Sequence, residues 1–298
     1  MPLPALDLAP EAGRYSVSFG AAAIGAAVAG GSARMRLDQL GAPAVASLEW
    51  LTTVEGYGYL MAFLRTQIDH GAARFEMDVI ADGGPYPVTR TVRFMPGSPR
   101  LSSVSGASYG VSASVEIQTE PRDTAADNAL VAARGDLVDG LRVLGLTPSV
   151  DGYTASRGDT MISTNPGQGP SAVRLDRFNT PTRLNVSWNV GPADYGYLVA
   201  FYYTAIREGA LPFLMDSIVD HPLVRQLEAK MIPGSFTLSG VKGITYQVRA
   251  DVDVVPVLSP DFDALMLDMY AEGGEFWGDF IDMLDRLVNV VMPDDLGS

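Results

Sequence analysis

Hydrophobic and polar positions alternate most cleanly in two runs of the chain, through Tyr109, Val111, Ala113, Val115 and Ile117 and again through Tyr246, Val248, Ala250, Val252 and Val254. A period of two sends successive side chains to opposite faces of a strand, so each run has one face for a core and one for water. The segment Arg183 to Val190 alternates in the same way, with Leu184, Val186, Trp188 and Val190 on one side, and Ala44 to Thr53 has a similar β-branched, aliphatic and aromatic content. Shorter strands are expected at Phe75 to Val79, Phe213 to Ile218, Thr89 to Met95 and Gln226 to Ile232.

Elsewhere the period lengthens. Tyr57, Leu60, Met61, Phe63, Leu64 and Ile68 recur at helical spacing before Gly71, as do Tyr195, Leu198, Val199, Phe201, Tyr202 and Ile206 before Gly209. Each set predicts an amphipathic helix closed by a glycine. Asp123 to Leu144 is Ala- and Leu-rich, and Ser259-Pro260-Asp261 opens a helix expected to reach about Tyr270. After Gly273-Gly274 a second amphipathic helix is expected from about Glu275 to Val291, with Phe276, Trp277 and Phe280 on its apolar face.

The chain repeats itself. A shift of 138 residues lays Arg36-Leu37-Asp38 on Arg174-Leu175-Asp176, Trp50 on Trp188, Tyr57-Gly58-Tyr59-Leu60 on Tyr195-Gly196-Tyr197-Leu198, and Met77-Asp78 on Met215-Asp216, with 18 identities in the 43 positions from 36 to 78. One residue is then lost, and a shift of 137 matches Pro96-Gly97-Ser98 with Pro233-Gly234-Ser235 and Tyr109 with Tyr246. The fold class expected is therefore mainly β (α+β): two tandem β-sandwich or barrel modules, each with a flanking helix, plus C-terminal helices. The modules are expected over 14–120 and 166–257, separated by a linker with a helical appendix at 121–165 and followed by an acidic helical extension at 258–298.

The 298 residues are 47% hydrophobic and 19% charged, a globular balance. Cysteine is absent, which excludes disulfides and thiolate sites. Met1 to Gly13 lacks Lys and Arg and carries Asp7 and Glu11, so a secretory signal is not expected. Gly20 to Gly31 is uncharged and Ala-rich but too short to span a bilayer; it reads as a hairpin or loop, and stable membrane insertion is not expected. Ten acidic residues against Arg286 alone give residues 259–298 a net charge of −9 out of −14 for the chain. Neither half carries a basic stripe that could neutralise phosphates, so sequence-specific nucleic-acid binding is not expected.

Candidate chemistry is sparse. Gly106-Ala107-Ser108-Tyr109-Gly110 matches G-x-S-x-G, but it leads into a predicted strand rather than a helix, and the repeat has Gly243-Ile244-Thr245-Tyr246-Gln247 there. A turn is what the two copies share, so no catalytic residue is assigned. His70 and His221 occupy unmatched positions, Asp251 and Asp253 read as a solvated strand face, and Asp38 and Asp176 recur within Arg-Leu-Asp as a turn or ion-pair motif. Asn185-Val186-Ser187 fits a glycosylation sequon but falls within a strand. No cofactor or metal is expected, and the chain is not expected to be an enzyme.

The order Phe19-Gly20, strand through Trp50, Phe63-Leu64, Gly71, Phe75 and the Glu-bearing run Tyr109 to Glu116 resembles the minor tail protein M family of lambda-like phages and related tail-tube and distal-tail modules. The resemblance spans roughly residues 14 to 120 and, through the repeat, 171 to 257; it departs from the family at the Ala-rich stretch 21–29 and in lacking a second Phe-Gly start. It implies a virion protein, assembled in the host cytoplasm, that forms a ring at the tail tip or distal tail and joins the tail tube to the tip complex. Two modules per chain make a homotrimer with pseudo-sixfold symmetry the expected ring, with other tail proteins as neighbours and DNA passing through its lumen. The alternatives are the major tail tube protein and, in another class, a carbohydrate- or receptor-binding β-sandwich. Interface candidates by position are Ala21, Ile24 and Val28 in the Ala-rich stretch, Pro96, Gly97, Pro233 and Gly234 in the Pro-Gly-Ser turns, and Phe276, Trp277 and Phe280 in the last helix.

Overall fold

The computed structural model describes residues 3–20, 23–26, 34–37, 42–80, 87–118, 123–157, 161–164, 172–175, 180–219 and 224–255, with Ala264 and Leu267. The chain divides into two units, Met1–Pro256 and Val257–Ser298. The C-terminal helices expected at 260–270 and 275–291, with Phe276, Trp277 and Phe280, lie outside the described residues, apart from Ala264 and Leu267, which are helical.

Strands dominate the first unit. Two long strands, Ser108–Ile117 and Thr245–Val254, organise its main sheet, which has 14 strands among the described residues. Ser108–Ile117 pairs with Ala44–Thr52 on one side and with Val88–Phe94 and Arg100–Ser105 on the other. Thr245–Val254 pairs with Thr182–Val190 and, opposite, with Arg225–Met231 and Thr237–Lys242. Alternation decides which face is inside: Val111, Val115, Ile117, Val248, Val252 and Val254 are buried, as are Leu184, Val186 and Trp188. Trp50 lies opposite Val111 and Trp188 opposite Val248, so the tryptophans predicted from the sequence pattern fill matched core positions.

The two expected helices are Val54–Thr66 and Pro192–Ala200, the second running on into a π-turn at Phe201–Ala205. Thr53 caps the first by accepting a hydrogen bond from Gly56 N–H; Pro192 opens the second with a φ already suited to a helix. Each helix rests on the short strand after it through a ring-edge contact, Phe63 on Phe75 and Phe201 on Phe213, both at 5.5 Å between centroids. Tyr57 stacks on Tyr109 at 5.2 Å and Tyr195 on Tyr246 at 4.7 Å. Gly71 and Gly209 take φ of 93° and 89° in the turns that follow, a conformation unfavourable to any residue with a Cβ.

The short strands are covered on their outer edges. Residues 4–6 run parallel to Phe75–Val79, with Leu6 N–H donating to Glu76 C=O and Glu76 N–H to Pro4 C=O, both at 2.8 Å. Leu141–Val143 runs parallel to Phe213–Ser217 in the same manner, and Leu144 N–H donates to Leu214 C=O at 2.8 Å. Within 121–165 the helix occupies only Thr124–Ala132, capped by Asp123, and stops well before Leu144. The chain turns at Gly135, where a Cβ would stand 2.5 Å from Val143 O, and the apolar residues beyond it are used at the sheet edge instead. Farther on, Ser149–Arg157 pairs with Thr182–Val190.

Two further two-stranded sheets are formed, Ala23–Ala26 with Arg34–Leu37 and Met161–Thr164 with Ala172–Leu175. Of the Ala-rich stretch Gly20 to Gly31, residues 23–26 form the first of these strands; Ala21 and Val28 lie outside the described residues. One buried cluster extends from Leu6 to Val254 and takes in both tryptophans. No helix among the described residues is long and apolar enough to cross a membrane.

Candidate functional site: a sheet joint and two open edges

A three-residue strand, Ser16–Ser18, connects the strands of the first half to those of the second. It pairs antiparallel with Ala44–Thr52, placing Val17 opposite Ala46, and antiparallel with Thr237–Lys242, placing Val17 opposite Leu238 and Ser18 opposite Thr237. Only one side chain of the strand points inward, yet Val17 and its neighbour Leu238 are both fully buried. Phe19 N–H continues the ladder to Phe236 C=O at 3.3 Å.

Aromatic rings lock this joint. Phe19 lies 5.1 Å from Phe236 and 6.3 Å from both Tyr202 and Tyr203, and Tyr202 stacks on Phe236 at 4.6 Å. The Tyr202 hydroxyl donates to Gly20 C=O at 3.2 Å. Burial, and secondarily the charge of Glu208, push the Tyr202 phenol well above its usual range, so it stays neutral and keeps its proton for that bond. Gly20 has no room for a side chain: a Cβ would come within 2.2 Å of Ala42 O.

The strands that sit at this joint have counterparts that do not meet. Arg100–Ser105 pairs with Ser108–Ile117 through Arg100↔Ser112 and Leu101↔Val111, with an irregularity after Leu101. Thr237–Lys242 pairs with Thr245–Val254 through Thr237↔Arg249 and Leu238↔Val248, with an irregularity after Leu238. These pairs are related by the 137-residue shift. Among the described residues, however, Arg100–Ser105 has no second neighbour, and all six of its residues are exposed. Leu101 is 48% and Val104 55% exposed, whereas Leu238 and Val241 at the joint are 0% and 5%.

The same holds for the other partner. Thr154↔Asn185, Ala155↔Leu184 and Ser156↔Arg183 repeat Ser16↔Ser47, Val17↔Ala46 and Ser18↔Val45 at a shift of 138. Residues 154–157 are exposed, and Ser149–Arg157 pairs with no second strand among the described residues. An edge of this kind offers backbone N–H and C=O groups to another chain.

Of the positional interface candidates, Pro96 and Gly97 form an exposed turn directly before the open Arg100–Ser105 strand, and Arg100 Nε donates back to Gly97 C=O at 2.7 Å. Pro233 and Gly234 form the matching turn beside the joint and are partly buried there. Both turns are pinned alike: Ser114 N–H donates to Ser98 Oγ at 2.7 Å and Asp251 N–H to Ser235 Oγ at 3.0 Å. Ile24 is exposed on its strand. Leu101, Val104 and Ala155 were not among the sequence-derived candidates; the signal for them was the spacing of 137 or 138 residues from Leu238, Val241 and Val17.

Ser108 opens its strand after the two-residue turn Gly106-Ala107, paired with Ser105, and Gly106 and Gly243 share a φ of 59° at the two equivalent turns. Asp253 forms an ion pair with Arg183 at 3.0 Å and Asp251 accepts from Asn185 at 2.7 Å, which ties both acids to strand neighbours. His70 is exposed in the turn Asp69–Gly71; His221, Asp38 and Asp176 lie outside the described residues. Among the described residues no group of three or more His, Asp or Glu is placed to hold a metal ion. No protein family matches the chain, and no curated protein does.

Proposed function

We propose that the chain consists of two tandem β modules, each a sandwich or barrel with a flanking helix, and that it is a structural virion protein of a phage tail. Its copies close into a ring at the tail tip or distal tail and join the tail tube to the tip complex. The ring is a homotrimer with pseudo-sixfold symmetry, assembled in the host cytoplasm, in contact with other tail proteins and open at its centre for DNA. One observation carries this: a sheet joint between the two halves of the chain is complete at Ser16–Ser18, while the residues related to it by the repeat, Arg100–Ser105 and 154–157, are exposed. Head-to-tail contacts close into rings when the rotation per step allows it.

Light scattering on the purified chain, followed by class-averaged electron microscopy, tests the proposal. Particles of three chains with six lobes around a hole are the expected result. Stacks of such rings would favour the tail tube over the tip. A chain that stays monomeric at all concentrations would sink the ring and return weight to a carbohydrate- or receptor-binding module.

A further inference from the structure

We infer that the contact between copies is a specific antiparallel strand pairing, in which Ser149–Arg157 of one copy adds to Arg100–Ser105 of the next in the register already used inside the chain. This rests on the proposed ring and names the joint that builds it. The template is Ser16–Ser18 against Thr237–Lys242, with Val17↔Leu238 and Ser18↔Thr237. Shifted by 138 on one strand and 137 on the other, these pairs become Ala155↔Leu101 and Ser156↔Arg100, and the bond from Phe19 N–H to Phe236 C=O becomes one from Arg157 N–H to Pro99 C=O.

Three features favour a second copy as the occupant of each edge. Both strands already hold the template's register against their inner neighbours, so no strand has to slide before pairing. The apolar side chains that the template buries, Leu238 and Val241, stand open on the edge strand as Leu101 and Val104. The two edges lie on different strands and do not pair with each other within the chain, so one copy can offer its Ser149–Arg157 strand while its Arg100–Ser105 strand accepts another.

The two joints differ in strength. Where the internal joint has Phe19, Tyr202, Tyr203 and Phe236, the positions shifted onto the outer edges are Arg157, Leu64, Arg65 and Pro99. The contact between copies therefore has backbone bonds and two aliphatic side chains but no aromatic lock. It is the separable joint, and the internal one is permanent.

The absence of native cysteine makes a clean test possible. The full-length double variant Leu101→Cys, Ala155→Cys is oxidised and run on a non-reducing gel beside Val17→Cys, Leu238→Cys as the geometric control. The control is expected to cross-link within one chain. The edge pair is expected to give covalent dimers and trimers, reversed by reductant and stopping at the size of the ring. A Leu101→Asp, Val104→Asp variant, altered only at exposed positions, should keep the circular-dichroism spectrum and cooperative unfolding of a folded chain and lose its oligomer. Rings seen by microscopy with no cross-link at 101 and 155, or with assembly undisturbed by the two aspartates, would overturn this pairing and leave the ring intact. A chain that is monomeric while the control cross-links would overturn both.

Discussion

Trp50 and Trp188 occupy equivalent sites but are held differently. Both are buried; the Trp50 indole also donates to Leu8 C=O at 3.1 Å, tying the N-terminal segment to the sheet. Truncating either to Ala is expected to cost about 3–5 kcal/mol, from lost apolar transfer plus an unfilled cavity, read as a lower urea midpoint. Trp50→Ala should in addition loosen residues 4–8, seen as faster amide exchange at Leu6. Tyrosines set a second expectation. Burial raises the phenols of Tyr153, Tyr197 and Tyr202 above their ordinary value of 10.0. Above that pH the unfolded chain has given up protons that the folded chain retains, so the free energy of unfolding falls as pH rises. Stability from these groups is complete below pH 10.0 and is lost on going up through their folded-state values. Urea midpoints measured stepwise into the alkaline range should drop, and the drop should flatten in a Tyr197→Phe, Tyr202→Phe variant.

Secondary-structure elements differ in how openly the sequence declares them, and the difference is physical. Ser108–Ile117 and Thr245–Val254 bury one face along ten residues, so period-two alternation marks them almost to the residue. Ser16–Ser18 buries a single side chain and has no period to detect. Arg100–Ser105 is wholly exposed, and the irregularity after Leu101 puts its two apolar residues three apart, which hides it as a strand. The repeat was legible from Arg36 onward, where tryptophan, tyrosine and glycine recur, yet it also reaches back to the N-terminus. Leu6 and Leu144, and Tyr15 and Tyr153, lie 138 apart, and the two tyrosine hydroxyls donate to Ile80 C=O at 2.9 Å and Ile218 C=O at 3.0 Å. Single matches so far apart carry no signal in the sequence and stand out only beside the two like hydrogen bonds. Glycines give the test at this scale. Gly58 is inside the Val54–Thr66 helix with open space around its missing Cβ, so Gly58→Ala should add up to ~1 kcal/mol. Gly209 sits at φ 89° with Met231 O 3.1 Å from where a Cβ would be, so Gly209→Ala should cost about 1–3 kcal/mol. Opposite shifts of the thermal midpoint in these two variants are the expected result; equal shifts would contradict the backbone argument.

Charge acts on the molecule as a whole. Residues 257–298 carry a net −9 of the chain's −14, which leaves −5 on Met1–Pro256, and both open edges lie in that first unit. If copies join through those edges, each added copy adds a strongly acidic segment of the same sign, and like-charge repulsion opposes assembly. Such repulsion acts over about 10 Å at 0.1 M salt and shortens as salt rises. A chain ending at Pro256 is therefore expected to assemble more tightly than the full chain at low ionic strength. The gap should narrow as salt is added, because screening removes only the tail term and leaves strand pairing and aliphatic burial in place. Sedimentation velocity of both chains across a salt series measures this directly. Tighter assembly of the truncated chain at low salt, converging at high salt, locates the contact in the first unit and the opposing charge in the second. Loss of assembly on truncation would instead assign the contact to residues 257–298 and leave the open edges without a role in it.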